Sequence, residues 1–237
     1  MKRLFIALLT LWVVAVAQGK AAPFGDNPEA GKYYNIRGIR MYCETYGSGR
    51  PLLLIHGNNG NIAAFENNIP YFAPKYREIV ADSRAQGKSR DDGQALTFEM
   101  MADDYAALLD VLRVESADVI GWSDGGITGL LMAMRHPGKV NRLVASGANL
   151  RPDASEFTPE VSEGARQKYQ RDKDKIWSTE KEKNAWKLFM LAWLEPNIRS
   201  AALRAVQCPT LISCGDHDII SLDHTVEIYR SVSHAAL

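Results

Sequence analysis

Apolar residues recur along the chain as short continuous runs separated by helical patterns. Continuous runs indicate strands buried on both faces, and they occur in PLLLIHG, YREIVADS, ADVIGW, KVNRLVAS and CPTLISCG. In TFEMMADDYAALLDVL and GGITGLLMAMRH, apolar residues recur every three to four positions, which indicates helices with one buried face. Strands that alternate with helices predict a mostly parallel, doubly wound α/β sheet with helices on both sides.

In one earlier segment, IRGIRMYCETYG, apolar and polar positions alternate instead of forming a continuous run. Its apolar face carries Ile39, Met41 and Cys43, and its other face carries Arg40, Tyr42 and Glu44. This period of two predicts a half-buried antiparallel strand, entered through a turn at Arg37 and Gly38.

Residues 151–205 break the alternation, because they contain no convincing strand. They hold a charged stretch, RQKYQRDKDK, and a helix with an aromatic stripe formed by Trp186, Phe189, Met190 and Trp193. Since the segment lies between two sheet strands, we interpret it as a short helical cap over one end of the sheet. The stripe is interpreted as packing rather than as a cofactor site, although such packing could line a pocket.

The first residues have the pattern of a targeting segment. Lys2 and Arg3 precede the apolar run LFIALLTLWVVAVA, which ends in Ala15-Val16-Ala17. This pattern predicts a secretory signal peptide over residues 1–17, a mature domain over residues 18–237, and a periplasmic or secreted protein. The alternative is an uncleaved anchor, but about 14 residues is short for a roughly 30 Å hydrocarbon core. We expect no stable membrane insertion after cleavage.

Charge and cysteine content exclude several classes of protein. Lys plus Arg equals Asp plus Glu at 28 each, which favours neither nucleic acid nor an acidic membrane surface as a partner. Cys208 and Cys214 flank a strand about 20 Å long, too far apart for a disulfide, and these two and Cys43 are expected to be buried free thiols. No Cys/His spacing indicates a metal site, and the oligomeric state is not predictable from this sequence.

The most informative motif is Gly121-Trp122-Ser123-Asp124-Gly125, between a strand pattern and a helix pattern. This G-x-S-x-G context predicts a nucleophile elbow, a tight turn that presents the Ser123 hydroxyl at the carboxyl end of the strand. Side chains at positions 121 and 125 would collide with neighbouring chain, while Gly126 and Gly129 let the helix lie close to the sheet. The alternative is an ordinary glycine-rich turn with a capping serine.

Two further loops follow predicted strands at the same sheet edge. His56-Gly57-Asn58-Asn59-Gly60 would aim the Asn58 N–H at the site, so that the N–H groups of Asn58 and Asp124 form an oxyanion hole. His56 itself is expected to pin the loop. Gly215-Asp216-His217-Asp218 follows a later strand, and Asp218 is the preferred acid, with Asp216 second.

The segments HGNNG, DSRAQGKS, GWSDGG and PTLISCGDHD together resemble the α/β-hydrolase superfamily, from about residue 33 to the last residue. GWSDGGITGLL and the later GAN resemble the biphenyl hydrolase-like group, which includes valacyclovirase-type amino-acid ester hydrolases. The resemblance implies that Ser123 is the nucleophile and that Asp218 orients a histidine. Ala85 stands where the superfamily usually has glycine, and only a local adjustment is expected there.

A serine nucleophile implies an acyl-enzyme and therefore hydrolysis of a small ester, amide, thioester or activated C–C bond, with no cofactor. Trp122 and Asp124 are candidate substrate-binding residues. Asp124 either binds a cationic group of the substrate or only stabilises the helix N-terminus. Both readings remain open.

The resemblance also implies a histidine that this sequence does not supply at the expected place. In the superfamily that histidine follows one more strand, after a helix that SLDHTVEIYRSV predicts here. SHAAL begins the approach to that strand, so we expect the strand, the histidine loop and the closing helix, about 25 to 35 residues, to be missing from a truncated chain. Among the five histidines, only His224 is considered as a substitute base. Little turnover is expected, and the alternative is a non-catalytic binding protein or a gene fragment.

Overall fold

A computed structural model describes residues 23–153 and 156–237, so the predicted signal peptide lies outside the described residues. Its strands form one sheet in the order β1-β2-β4-β3-β5-β6-β7-β8. β2 is antiparallel to β1 and β4, and all other pairs are parallel. The strands are Gly31–Ile36 (β1), Ile39–Gly47 (β2), Arg50–Ile55 (β3), Tyr76–Ala81 (β4), Ala117–Trp122 (β5), Val140–Ser146 (β6), Thr210–Ser213 (β7) and Ala235–Ala236 (β8).

Helices cover both faces of this sheet. They are Ile69–Phe72 (α1), Phe98–Val111 (α2), Asp124–Arg135 (α3), Pro159–Asp172 (α4), Glu180–Leu194 (α5) and Leu222–Ser231 (α6). Among the described residues, none of these helices is both long and apolar enough to cross a bilayer.

The core lies on both sides of the central strands, as continuous apolar runs require. Leu53 and Ile55 of β3 belong to the larger core with α2 and α3, whereas Leu52 and Leu54 belong to a smaller core on the opposite face. The five apolar runs are β3 to β7, and the predicted helices are α2, α3, α5 and α6. The predicted α/β class and doubly wound sheet are therefore confirmed.

The start of the sheet differs from the prediction in two ways. β1 was not predicted, and it forms a hairpin with β2 through Arg37 and Gly38, which have φ of 43° and 85°. The prediction that β2 is half-buried is wrong, because its Tyr42 and Glu44 face is buried as well. The segment before β1 covers that face.

Hydrogen bonds explain how this buried face tolerates the carboxylate of Glu44. The side chain is fully buried, and it accepts backbone N–H groups from Gly25 at 2.8 Å and Asn27 at 2.9 Å. The hydroxyls of Tyr42 and Tyr46 donate to it at 2.9 and 2.6 Å. Four donors satisfy the buried carboxyl oxygens, and the two backbone donors attach the segment before β1 to the sheet.

Between β6 and β7 the described chain contains α4, α5 and a 3₁₀ helix at Ser200–Ala205. α5 begins with a reciprocal capping box between Thr179 and Glu182. The aromatic stripe packs: Trp186 stacks on Phe189 at 5.1 Å, and Tyr169 of α4 stacks on Trp193 at 4.9 Å. Ring stacking therefore joins the two cap helices.

The chain was expected to lack the strand that follows SHAAL, whereas Ala235 and Ala236 within SHAAL form a two-residue strand, β8. Its two residues pair with Thr210 and Leu211 of β7. Cys43 is a buried free thiol, as predicted, whereas Cys208 and Cys214 are free thiols that are only partly buried.

Candidate active site

Ser123 is the single residue that connects β5, which ends at Trp122, to α3, which begins at Asp124. Its backbone has φ 56° and ψ −121°, a conformation that is costly for a non-glycine residue and is found at functional sites. Neighbouring backbone holds it there: the Ser123 N–H donates to the Ser146 carbonyl at 2.8 Å, and its carbonyl accepts the Gly126 N–H at 2.7 Å. The geometry is that of a strand-to-helix elbow.

The glycines of the motif have the steric role that the sequence predicts. A Cβ atom on Gly121 would lie 2.0 Å from the Gly125 carbonyl oxygen, and one on Gly125 would lie 1.9 Å from the Ile55 carbonyl oxygen. A Cβ atom on Gly129 would approach Leu143 to 2.8 Å. Only glycine fits this turn without moving backbone atoms, so it is more than an ordinary glycine-rich loop.

The loop after β3 approaches the elbow from one side. A Cβ atom on Gly57 would lie 3.0 Å from the Cβ atom of Ser123. Within residues 23–153 and 156–237, no protein acceptor takes up the backbone N–H of Asn58 or that of Asp124. Both donors are therefore free to receive a negative oxygen, and their role as an oxyanion hole stays a prediction.

The Asn58 side chain fixes this loop. Its amide nitrogen donates to Asp124 Oδ2 at 2.7 Å and to the Leu188 carbonyl of α5 at 3.2 Å. The contact with Leu188 was not predicted. It means that one side chain connects the predicted oxyanion loop, the first turn of α3 and the cap.

The buried ring of His56 holds the same loop in place through two hydrogen bonds, as expected. The ring is 1% exposed, its Nε2 accepts the Ser83 N–H at 3.0 Å, and its Nδ1 donates to the Gly57 carbonyl at 2.8 Å. Burial lowers the pKa of His56 to about 4, so the ring is neutral at physiological pH.

Asp218 and Ser123 line one cleft of about 420 Å³. The Asp218 carboxylate is half-buried and accepts the N–H groups of Gly215 and Ile220, both at 3.2 Å. The side chain of Asp216 is 94% exposed. Both aspartates line the cleft of Ser123, and Asp218 is the more buried of the two, so its role as the preferred acid stays a prediction.

The two candidate substrate-binding residues differ in position. Trp122 is 53% exposed and lines the cleft of Ser123. Asp124 is 8% exposed, and its carboxyl group is bound to Asn58 instead of facing that cleft. Burial raises the pKa of Asp124 to about 6, although the hydrogen bond from Asn58 lowers it.

His224 does not reach Ser123. The ring is buried, its Nε2 accepts the Leu150 N–H at 2.9 Å, and its Nδ1 lies 3.1 Å from Glu227 and in contact with Glu156. Both ring nitrogens are engaged with Leu150, Glu156 and Glu227, so the structure does not bring His224, the substitute base considered from the sequence, to Ser123.

The remaining histidines are also apart from the Ser123 hydroxyl. His136 contacts Asp103 at 2.7 Å beyond the end of α3, and His234 precedes β8. His217 lines the cleft of Ser123, a position that sequence reasoning missed, but its side chain is 95% exposed. All five histidines lie in the described ranges, and none of them forms a hydrogen bond with Ser123.

One side-chain cluster has donors suited to a metal ion, namely Glu156, His224 and Glu227. Arg151 already donates to both carboxylates, at 2.5 Å to Glu156 and 2.9 Å to Glu227. Its guanidinium supplies the positive charge that a bound cation would bring. The cluster is therefore an ion-paired support for the cap.

A strained serine at a strand-to-helix elbow, with a carboxylate after a later parallel strand, is the arrangement typical of an α/β-hydrolase sheet. The chain belongs to the alpha/beta hydrolase fold family, which it matches over residues 50–185. The family predicted from HGNNG, GWSDGG and GDHD is thus confirmed.

Known relatives agree with this assignment. The chain is 35% identical over 127 residues to the 2-hydroxymuconate semialdehyde hydrolase of Pseudomonas sp. strain CF600, which covers 52% of this chain and 45% of that protein. It is 31% identical to human serine hydrolase BPHL over 62% of this chain and 52% of the relative. The mouse BPHL protein is 28% identical, over 91% of this chain and 79% of its own length. The chain spans about half the length of the first two relatives.

Solved structures show the same fold. The enol-lactonase from Burkholderia xenovorans LB400 superposes with a TM-score of 0.69 at 19% identity, over 86% of this chain and 89% of that structure. The N-acyl homoserine lactone degrading enzyme Est816 gives 0.73 at 21% identity, over 87% and 90%. At these identities the likeness concerns the fold alone.

Proposed function

We propose that this chain is a serine hydrolase of small carboxylic esters or related acyl compounds, acting through an acyl-enzyme on Ser123. The observation that carries the proposal is the backbone of Ser123, held at φ 56° and ψ −121° at the wall of a cleft that it shares with Asp218. The curated relatives named above are hydrolases, which supports the same class of reaction.

The proposed reaction starts with attack of Ser123 Oγ on the carbonyl carbon of the ester. The carbonyl π electrons move to the oxygen, which the N–H groups of Asn58 and Asp124 would stabilise at the N-terminus of α3. Collapse expels the alcohol, which takes up the proton that Ser123 Oγ loses on attack, and leaves the acyl group on Ser123. Water then attacks the acyl-enzyme, releasing the acid and restoring the hydroxyl.

The site has no identified general base for Ser123. The resemblance to the superfamily implies that Asp218 orients a histidine, yet none of the five histidines, all within the described residues, forms a hydrogen bond with Ser123. We therefore propose that this 237-residue polypeptide turns over little by itself. The same observation favours one rival function, a non-catalytic protein that keeps the fold to bind a small ligand.

A fluorophosphonate probe tests the nucleophile directly. We expect covalent labelling of the wild type, loss of labelling in Ser123→Ala, and full labelling in Ser178→Ala, an exposed serine in the cap. Folded protein that takes no label would favour the binding protein. Undiminished labelling of Ser123→Ala would overturn the proposed nucleophile.

We further propose that the chain is exported, since residues 1–17 have the pattern of a signal peptide. The mass of the protein expressed in a bacterial host tests this. Protein recovered from the periplasm should lack about the first 17 residues, and Ala17→Arg should block the removal. Intact protein confined to the cytoplasm would refute export.

A further inference from the structure

One histidine shares the cleft of Ser123. The cleft is lined by Ser123 itself and by the turn Gly215–Asp218, which follows β7. His217, in the middle of that turn, is the one histidine among the described residues that line the cleft. Ser123 is half-buried, and its hydroxyl forms no side-chain cap at the start of α3. The hydroxyl is therefore open to a proton acceptor that enters from the cleft.

Asp218 fixes the backbone of the turn that carries His217. Its carboxylate accepts the N–H groups of Gly215 and Ile220, both at 3.2 Å, and the second of these bonds closes an Asx turn. The same carboxylate lies against Gly147, since a Cβ atom there would be 3.2 Å from Asp218 Oδ2. The turn thus lies beside the end of β6, the strand between β7 and β5.

The side chain of His217, in contrast to its backbone, is free to rotate. It is 95% exposed, and within the described residues its one ion-pair contact is with Asp216, where Nε2 and Oδ2 are 4.0 Å apart. A pair between two exposed groups at that separation contributes little to stability. Exposed side chains exchange rotamers within picoseconds to nanoseconds, so a second orientation of the ring is readily reached.

The length of a histidine side chain matches the distance across this part of the sheet. β6 separates β7 from β5, so the carboxyl ends of those two strands lie two strand spacings apart, or about 10 Å. An extended histidine places Nε2 roughly 4.5 Å from its Cα atom, and a serine Oγ lies roughly 2.4 Å from its own. With a hydrogen bond of about 3 Å, the two side chains together span about 10 Å. Rotation into the cleft therefore brings the ring within reach of Ser123.

The other four histidines have no such access. The rings of His56, His136 and His224 are hydrogen-bonded away from Ser123. The carbonyl of His234 accepts the N–H of Thr210, the first residue of β7, so His234 lies at the opposite edge of the sheet. Position and freedom to rotate both single out His217.

We propose that His217 is the general base of Ser123 and reaches the hydroxyl by rotation of its side chain into the cleft. The neutral ring accepts the Oγ proton as Oγ bonds to the carbonyl carbon, and it gives that proton to the departing alcohol. In deacylation the ring takes a proton from the attacking water and returns it to Oγ as the acyl bond breaks. The charge of Asp218 in the same cleft stabilises the imidazolium between these steps.

This inference rests on the proposed acyl transfer at Ser123 and names the group that takes its proton. A base that has to rotate into place is positioned less well than one held by hydrogen bonds, and positioning accounts for much of catalysis. The assignment therefore agrees with the low turnover proposed above.

The rate of fluorophosphonate labelling tests the base, because Oγ also loses its proton when it attacks phosphorus and fluoride leaves. We expect His217→Ala and His217→Gln to label at least about tenfold more slowly than the wild type. His234→Ala, which removes another exposed histidine, should label at the wild-type rate. Added imidazole should accelerate the labelling of His217→Ala and leave the wild type nearly unchanged, because a diffusing base can enter the open cleft.

The outcomes separate this assignment from the proposed function. Wild-type rates in His217→Ala or in His217→Gln would overturn the base alone, since labelling would still depend on Ser123. Slow labelling of His217→Ala that imidazole does not accelerate would overturn it as well. Thermal unfolding checks that each variant is folded. A wild-type protein that takes no label refutes the hydrolase proposal and the base together.

Discussion

The side-chain amide of Asn58 lies 2.7 Å from the carboxyl group of Asp124 and donates a hydrogen bond to it. The same nitrogen reaches the Leu188 carbonyl at 3.2 Å. Because the backbone N–H groups of Asn58 and Asp124 are the predicted oxyanion donors, one side-chain contact fixes their relative position and attaches both to α5.

Asp124→Asn should change the pH dependence of stability. Burial raises the pKa of Asp124 from 3.8 to about 6, so ionising the carboxyl group costs more in the folded state than in the unfolded state. This stabilising contribution is complete below pH 3.8 and is lost as pH rises through about 6. Urea unfolding between pH 4 and 7 should show the wild type losing on the order of 1–3 kcal/mol relative to Asp124→Asn. Parallel pH profiles would contradict this.

Glu78→Gln should stabilise the protein at alkaline pH. The Glu78 side chain is fully buried, both of its oxygens lack hydrogen-bond partners in the described structure, and burial raises its pKa to about 7. The buried carboxyl group is tolerated while it is protonated. As pH rises through about 7 the group must ionise in the core, and its contribution to the free energy of unfolding is lost. Thermal unfolding at pH 6 and pH 9 should show a smaller loss for Glu78→Gln than for the wild type. An equal loss would show that Glu78 stays neutral or finds water.

Ala85→Gly should raise stability, by up to about 1 kcal/mol. Ala85 is buried with φ of 63°, a left-handed conformation in which a Cβ atom is strained. This explains why glycine is usual there in the superfamily. Urea unfolding gives the free energy, and Ala107→Gly within α2 is the matched control, which should lose about 1 kcal/mol. Loss of stability in both variants would refute the strain.

Gly125→Ala should abolish the native elbow. Its Cβ atom would meet the Ile55 carbonyl oxygen at 1.9 Å, and no flexible side chain can yield there. Gly164→Ala in α4 is the same substitution in open space and should be neutral or stabilising by up to about 1 kcal/mol. Near-ultraviolet circular dichroism and soluble yield separate the two, and a native-like Gly125→Ala protein would contradict the steric argument.

His224→Ala and His217→Ala should differ in stability. Removing His224 leaves the buried Leu150 N–H without its acceptor, which costs about 1–3 kcal/mol. His217 is exposed, so its removal should change stability by less than about 0.5 kcal/mol. Denaturant unfolding measures both. Equal stabilities would mean that the His224 hydrogen bond contributes nothing.

The strands and helices that the sequence predicts are those whose signal is local. β3 to β7 are continuous apolar runs, and α2 and α3 repeat every three to four residues, so burial follows from the pattern itself. β1 has largely exposed side chains and no such pattern. The burial of Glu44 depends on a segment 17 to 19 residues away that folds over it, which no alternation in β2 reveals.

The same distinction applies to the candidate site. The elbow around Ser123 is predictable because its constraints are local. A tight turn and two glycines without room for a Cβ atom all fall within five adjacent residues. The contact between Asn58 and Leu188 spans 130 positions and uses a backbone carbonyl, which has no residue signature. The place of His217 in the cleft could have been found from its position beside Asp218 in GDHD.

The two backbone hydrogen bonds to Glu44 also decide where the segment before β1 lies on the sheet. They hold Gly25 and Asn27 on β2, which is three strand spacings, or about 14 Å, from β5 and Ser123. A fluorescent or affinity label attached to a side chain of this segment would therefore lie beside β2, away from the strand that ends before Ser123. Immobilisation through such a label leaves the cleft open to solvent, which makes the segment a suitable attachment point for surface-based binding assays.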